Sequence, residues 1–290
     1  MSNIRYEKRL VETPSKVTRI YRLRRRVAKE RSILQIAKRF GLKGERNVGE
    51  ILKDPDELTY REGQYVNVLY KKSGAIRYYD STRWQIDDGK SEVDITDTRA
   101  ISIARKFIRK TGLVPLGEVK LPRVTRLHVG TAEIGTGKSE ERVIDVGVVF
   151  GRTIDKLPVE GPGGRAVVYI DHNEEVTGFD LVWREVESVE RDIPAAQLRP
   201  PKYAEESLWK YWQKRMPHKL VVEDMRFGYF ELGREQYQLF LQPAYIMPIE
   251  LVSRDPRIVV RDLHVVPAAL KPAKRIMPVR RKKPIEPKRS

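Results

Sequence analysis

The sequence predicts an α+β fold in which a helix followed by an antiparallel hairpin occurs three times, packed as two to three sheets. Three segments have the apolar spacing of an amphipathic helix, and each precedes runs that are typical of strands. The first two helices also resemble each other, since residues 36–40 read IAKRF and residues 103–107 read IARKF. A helix with two strands cannot bury its own apolar face, so the units are expected to pack together.

The helices are predicted over residues 27–40, 97–110 and 203–216. Each segment repeats apolar residues at the i, i+3, i+4 spacing of a core-facing stripe. Thr96 or Asp97 is suited to cap the second helix, and Gly112 is suited to end it. Gly41 and Pro217 occupy the corresponding final positions of the first and third helices.

Strands are predicted after every helix. They cover residues 64–70 and 75–80, then 119–129, 142–152, 166–171 and 176–183, and finally 219–230, 236–245 and 258–266. Alternating polarity and short turn sequences between the runs support these assignments. The predicted organisation is a basic α+β unit at 1–92, a central α+β unit at 93–200, a C-terminal α+β unit at 201–270 and a basic disordered tail at 271–290.

A resemblance to a known family starts from residues 148–159, which read VVFGRTIDKLPV. This stretch resembles the F-x-R-x-I-x-G-x-P-V core of PepSY-like and YycH/YycI-like domains, with Lys156 where Gly is usual. The turn at 161–164 and the strands that follow continue the pattern. The resemblance extends over about residues 95–250, and residues 17–80 show a weaker form of the same pattern. It implies tandem α-β-β units and a non-enzymatic role in binding, inhibiting or scaffolding another protein.

Positive charge is concentrated at the two ends of the chain. Lys and Arg number 57 against 40 Asp and Glu, a net charge of +17. Residues 1–53 carry net +11 and residues 271–290 carry net +8, so the remainder is close to neutral. Such ends attract polyanions through a salt-dependent field, although charged runs are also commonly just solvated. The candidate polyanion-binding residues are Arg22, Arg24, Arg25, Arg26, Lys274, Arg275, Arg280, Arg281, Lys282 and Lys283.

Residues 132–139 read AEIGTGKS and resemble a relaxed phosphate-binding loop. Such a loop requires a helix directly after it, because the N-terminal amides of that helix cradle the phosphate. Residues 143–149 instead read as a strand, and Glu140 and Glu141 would repel phosphate. The interpretation favoured is a glycine-rich loop between two strands, with no nucleotide cofactor.

Metal and catalytic sites are not predicted. The chain has no Cys, and its four His residues are isolated from one another and from ligand-spaced carboxylates. No apolar run approaches the roughly 20 residues of a membrane helix. The first thirty residues are charged throughout, so no secretory signal is expected and a cytoplasmic location is favoured.

The sequence therefore predicts a non-enzymatic protein-interaction, regulatory or assembly module without cofactors. Its partner is expected to be another protein, or a second copy of the chain, bound through sheet edges. The alternative is a nucleic-acid or polyanion-binding protein that acts through its basic termini. The aromatic residues between Tyr60 and Trp84 could stack bases, but cross-strand aromatic pairing is the favoured interpretation.

Overall fold

The structure, a computed structural model, describes residues 4–6, 17–83, 92–132, 139–212, 219–252, 259–274 and 276. It is mostly β, with 46% strand and 19% helix. The described residues contain three α-helices, α1 (Glu30–Arg39), α2 (Asp97–Thr111) and α3 (Pro201–Trp212), and two short 3-10 helices, η1 (Leu116–Glu118) and η2 (Ala195–Gln197).

Seventeen strands lie within the described residues. The first nine are β1 (Ile4–Tyr6), β2 (Thr18–Leu23), β3 (Glu50–Lys53), β4 (Glu57–Glu62), β5 (Tyr65–Tyr70), β6 (Ile76–Asp80), β7 (Arg123–Ala132), β8 (Ser139–Ile154) and β9 (Leu157–Glu160). The remaining eight are β10 (Arg165–Ile170), β11 (Val176–Val182), β12 (Val186–Ile193), β13 (Lys219–Val222), β14 (Arg226–Phe230), β15 (Phe240–Leu241), β16 (Pro243–Val252) and β17 (Val259–Pro267).

The ends of α2 are those that the sequence predicts. The Thr96 side chain accepts a hydrogen bond from the Arg99 backbone N–H at 3.3 Å, which satisfies one of the free amides of the first turn. Gly112 ends the helix in the left-handed conformation, at φ 61°. α1 begins three residues later than predicted, at Glu30. α3 begins at Pro201, a favourable first helical position, and the predicted end at residues 213–217 lies outside the described residues.

The chain divides into two compact units, each assembled from separated segments. The larger unit comprises Arg22–Ser188 and Glu231–Leu239, and the smaller unit comprises Met1–Tyr21, Val189–Phe230 and Phe240–Ser290.

One continuous sheet forms the larger unit. Its strand order is β9-β8-β10-β11-β6-β5-β4-β3, and β7 also pairs with β8. Directly paired residues share a face of an antiparallel sheet, so register defines the buried rows. One row runs across six strands as Tyr60, Asn67, Tyr78, Phe179, Val168 and Val148. All six residues are buried.

Both α1 and α2 pack on this one sheet. α1 contacts β4 and β5, whereas α2 contacts β7, β8, β10 and β11. The two helices meet through Phe40 and Phe107, whose ring centroids lie 6.0 Å apart, and Phe107 also contacts Phe179 at 5.5 Å. The predicted α+β arrangement of tandem helix-plus-hairpin units is therefore wrong. The helices share a single apolar core over one extended sheet rather than covering a separate hairpin each.

In the smaller unit, β16 is the central strand. It pairs antiparallel with β13, β14 and β17, and β1 joins the outer side of β13 in parallel. The single strand predicted over 219–230 is wrong, because the chain leaves the sheet at 223–225 between β13 and β14. The unit also holds most of a separate three-stranded sheet of order β12-β2-β15.

Candidate functional site

β7 forms one edge of the described sheet in the larger unit. β7 pairs with β8 from Arg123 opposite Val149 to Ala132 opposite Ser139. Within the described strands, β7 pairs with no other strand. On its outer side, the backbone N–H and C=O groups that do not bond to β8 therefore face no further strand among the described residues.

The chain before β7 extends the same edge. The Lys120 backbone N–H donates to the Gly151 carbonyl at 2.8 Å, and Val119 forms an isolated bridge with Arg152. These bonds keep residues 119–120 alongside β8 before β7 begins. We refer to residues 116–132 as the leucine edge.

Three leucines give this edge its name. Leu121 is 81% exposed, Leu127 57% and Leu116 50%. Isolated exposed leucines are ordinary, but three along one exposed edge form an apolar feature beside accessible backbone groups.

The opposite edge of the sheet is built differently. β3 has four residues, pairs only with β4 among the described strands, and carries Glu50 and Lys53 at its ends. Short, charged edge strands are a common protection against unwanted pairing. Leu52 of β3 is 45% exposed, which makes it a useful comparison for Leu127.

A buried set of charges lies behind the leucine edge, and we call it the charged cluster (Glu118, Arg152, Arg184 and Glu231). Arg152 is the largest fully buried side chain in the described protein. Its Nε donates to Glu118 Oε2 at 2.6 Å, and its Nη1 donates to Glu231 Oε2 at 3.0 Å. The guanidinium thus joins a completely buried carboxylate to a partly exposed one on η1.

Arg184 holds the other side of Glu231. Its backbone N–H and its Nη1 donate to Glu231 Oε1 at 2.9 and 3.2 Å. The same guanidinium donates to the carbonyls of Leu232, Gly233 and Gln236 at 2.6–2.8 Å. Burial lowers the pKa of Arg184, while the Glu231 charge opposes that shift. Arg184 therefore fixes the path of residues 231–236.

The charged cluster also explains why glycine is needed at one position of the glycine-rich turn at 161–164. The Gly163 backbone N–H donates to the Glu231 carbonyl at 3.0 Å. A Cβ at Gly163 would stand 2.5 Å from the Leu232 carbonyl oxygen, which no real side chain tolerates. Gly163 is required so that the two backbones can approach each other.

Glu118 connects the charged cluster to the surface. Its Oε2 also accepts a hydrogen bond from Trp183 Nε1 at 3.1 Å, and the Arg152 guanidinium lies 5.2 Å from the centre of the Trp183 ring. The carboxylate thereby anchors η1, which is the first part of the leucine edge. Charge-assisted bonds of this kind are stronger than neutral ones, so the start of the edge is firmly positioned.

Sequence reasoning did not identify the charged cluster, because its members are far apart in the chain and charged residues are usually exposed. One signal was available. Phe150, Arg152 and Ile154 alternate along β8 and share one face, so a charged residue occupies a position with core parity. This is also the segment that resembles PepSY-like domains.

The outer face of the larger sheet carries a second polar group. Asp180 Oδ1 lies 3.6 Å from Arg77 Nε and 3.5 Å from Arg234 Nη1. Tyr169 donates to Asp180 Oδ2 at 3.4 Å, and burial raises the pKa of that phenol. Every charge here has an opposite neighbour, and the group is consistent with a structural role.

Asp145 lies on the same outer face, directly opposite Leu127 of the leucine edge. Its Oδ1 is buried without a hydrogen-bond partner among the described residues. Burial raises the pKa of this carboxyl to about 6, and the nearby charge of Asp171 adds to the shift.

The predicted polyanion-binding residues fall in different places. Arg24, Arg25 and Arg26 are exposed in the segment between β2 and α1, and Arg22 is half-buried at the end of β2. Arg24 pairs with Glu185 at 2.8 Å. The exposed Lys274 belongs to the smaller unit, where its carbonyl accepts from Gln242 Nε2 at 2.5 Å. The predicted residues outside the described part of the chain are Arg275, Arg280, Arg281, Lys282 and Lys283.

The other sequence candidates give no site within the described residues. β8 begins at Ser139, which confirms the strand predicted after the glycine-rich segment, whereas residues 133–138 lie outside the description. No group of three or more His, Asp or Glu residues is placed to hold a metal within the described part of the chain. No described helix is long and apolar enough to cross a membrane.

Comparison with known proteins supplies a fold and no function. No family model and no curated protein matches the chain. Among solved structures, an uncharacterized protein from Eubacterium rectale has a similar fold, with a TM-score of 0.56 and 8% identity. The match covers 96% of this chain and 92% of that one. The resemblance to PepSY-like and YycH/YycI-like domains stays a prediction.

Proposed function

We propose that this protein is a non-enzymatic protein-binding module that receives an extended segment of a partner protein along β7. The observation that carries the proposal is the ten-residue edge strand, which pairs on one side only among the described strands and lies beside exposed leucines. Strand addition at an exposed edge is a common mode of peptide recognition.

The physical basis is the chemistry of an unprotected edge. Backbone hydrogen bonds between two strands supply affinity with little dependence on sequence. Selectivity then comes from side chains that alternate along the added strand. Leu127 and Leu121 offer apolar contacts at two separated points of the edge, so a partner with suitably spaced apolar residues is favoured.

Two features limit indiscriminate pairing. The register of β7 against β8 shifts between Leu127 and His128, and such irregularities twist an edge away from flat stacking. The exposed Arg123 also lies on the strand. These features favour a selected partner over uncontrolled aggregation.

The charged cluster supports the same proposal by positioning the edge. Arg152 binds Glu118 on η1 and also lies in the strand that pairs with Val119. The start of the leucine edge is thus held by a buried guanidinium. A preorganised edge loses less conformational entropy when it binds.

Polyanion binding is the second candidate, and the exposed run Arg24–Arg26 favours it. Arg24 already pairs with Glu185 and Arg25 lies 5.8 Å from the Tyr237 ring, so both have neighbours within the larger unit. Polyanion binding should weaken steeply as salt rises, whereas strand addition with apolar contacts should persist.

The test places a photo-crosslinking residue at position 127, and at position 52 as the matched control. We expect a discrete partner protein to be captured at 127 and not at 52. Binding of that purified partner should then fall in Leu127→Glu, remain unchanged in Leu52→Glu, and survive 0.5 M salt. Equal capture at both positions, or a captured partner that ignores Leu127→Glu, would contradict the proposal.

A further inference from the structure

Beyond its leucines, the edge is unevenly charged. Lys120 and Arg123 are exposed at its beginning, and neither has a carboxylate partner among the described residues. The positive charge of the edge is therefore concentrated at its beginning.

α2 adds positive charge at the basic end. Arg126 Nη2 donates to Asp97 Oδ1 at 2.5 Å, which fixes the start of α2 against β7. Phe107 marks the side of α2 that faces α1. Arg105 and Arg109 are exposed and lie on the side of the helix opposite Phe107.

The acidic groups at this end are already occupied. Glu118 accepts from Arg152 and Trp183, and Asp97 accepts from Arg126. Lys120 and Arg123 therefore lie on the edge itself without a carboxylate partner in the described part of the chain, and the exposed Arg105 and Arg109 of α2 add to the positive charge of this region.

We propose that the occupant of the leucine edge is an extended protein segment whose acidic residues are gathered at the end that lies beside Lys120 and Arg123, with apolar residues toward Leu127. This inference rests on the proposed function, because it specifies the partner of the same edge. The outer side of β7, which pairs with no described strand, selects an extended peptide. The leucines select apolar side chains, and the positive charge at the beginning of the edge selects acidic residues at one end of the peptide. A nucleic acid matches the charge but neither the strand edge nor the leucines.

The experiment selects binders to the full chain from a displayed library of random ten-residue peptides. The enriched peptides should alternate apolar residues and carry Asp or Glu at one end only. One such peptide is then titrated by fluorescence anisotropy against the wild type, the Lys120→Glu/Arg123→Glu variant and the Lys202→Glu/Lys210→Glu variant. The last variant makes the same charge change on exposed positions of α3 and serves as the control.

We expect the edge variant to weaken peptide binding about 10-fold at low salt, and the α3 control to change it by less than about 3-fold. The loss should shrink in 0.5 M salt, since exposed charges are screened. A peptide with Lys in place of its acidic residues should regain affinity for the edge variant. Thermal unfolding of both variants verifies that they are folded.

The outcomes separate the two proposals. Enriched peptides without acidic residues that still require Leu127 would overturn this inference and leave the proposed function standing. Peptides indifferent to Leu127→Glu would overturn the proposed function. A single-stranded DNA oligonucleotide that binds as tightly as the peptide and is lost in Lys120→Glu/Arg123→Glu would show that the basic end recognises polyanions, and would also overturn the inference.

Discussion

Arg152 donates its Nη1 to Glu231 Oε2 across 3.0 Å, with the two side chains 1% and 0% exposed. A buried ion pair stabilises the folded state little more than apolar residues of similar size would. Removal of one partner, however, leaves the other charge buried without an opposite charge beside it. The pair therefore makes the folded state depend strongly on single residues at the site that positions the leucine edge.

Glu231→Gln should lower the free energy of unfolding by about 3–5 kcal/mol, because Arg152 and Arg184 then lose their shared carboxylate. Denaturant unfolding followed by circular dichroism measures the change. The matched control is Glu185→Gln, which removes a pair with about half of each side chain exposed and should cost under about 1 kcal/mol. Similar losses in the two variants would show that the cluster is hydrated in solution.

Lys156→Gly should raise the free energy of unfolding by about 0.5–1 kcal/mol. Asp155 and Lys156 connect β8 to β9 with φ values of 50° and 66°, a conformation that costs a residue with a Cβ. Lys156→Ala keeps the Cβ and should give no gain. If Ala stabilises as much as Gly, the left-handed turn is not the source of the effect.

The helices could be predicted because their signals are local. Thr96 and Gly112 mark the ends of α2, and its apolar spacing predicts the buried face. The arrangement of those helices could not be predicted from the sequence, because the contact of Phe40 with Phe107 joins residues that are far apart in the chain. Nothing in the sequence indicates whether two similar helices cover two sheets or one.

The site was even less predictable. The expectation of sheet-edge binding was general, and which strand forms the edge depends on the order of strands in the sheet. β3 and β4 were not predicted, although Leu58 and Tyr60 alternate with polar residues along β4. The role of Arg152 depends on Glu231, which comes from a distant segment.

Asn67→Val should raise the free energy of unfolding by about 1–2 kcal/mol. Asn67 lies fully buried between Tyr60 and Tyr78, and both polar atoms of its side chain lack a hydrogen-bond partner among the described residues. Val removes the unsatisfied amide and suits a strand. Thermal denaturation tests this expectation. A loss of stability would instead show that the amide is hydrogen-bonded to a buried water.

Asp145→Asn should stabilise the protein at pH 8 and leave it unchanged near pH 4. The folded pKa is raised to about 6, so the folded state binds the proton more tightly than the unfolded chain does. The cost of ionising Asp145 is absent below the unfolded pKa and grows as pH rises through 6. We expect a gain of about 1–2 kcal/mol at pH 8. An equal gain in stability at both pH values would show that the effect of the substitution does not come from the ionisation of Asp145.

The central claim is that β7 is the surface that pairs with a partner. Amide hydrogen exchange of the free protein and of the complex with the partner captured at position 127 tests it most directly. We predict that amides of β7 become at least about 10-fold slower to exchange in the complex, as new backbone hydrogen bonds form, while those of β3 stay unchanged. Unchanged exchange in β7, with protection appearing on another part of the protein, would contradict the account.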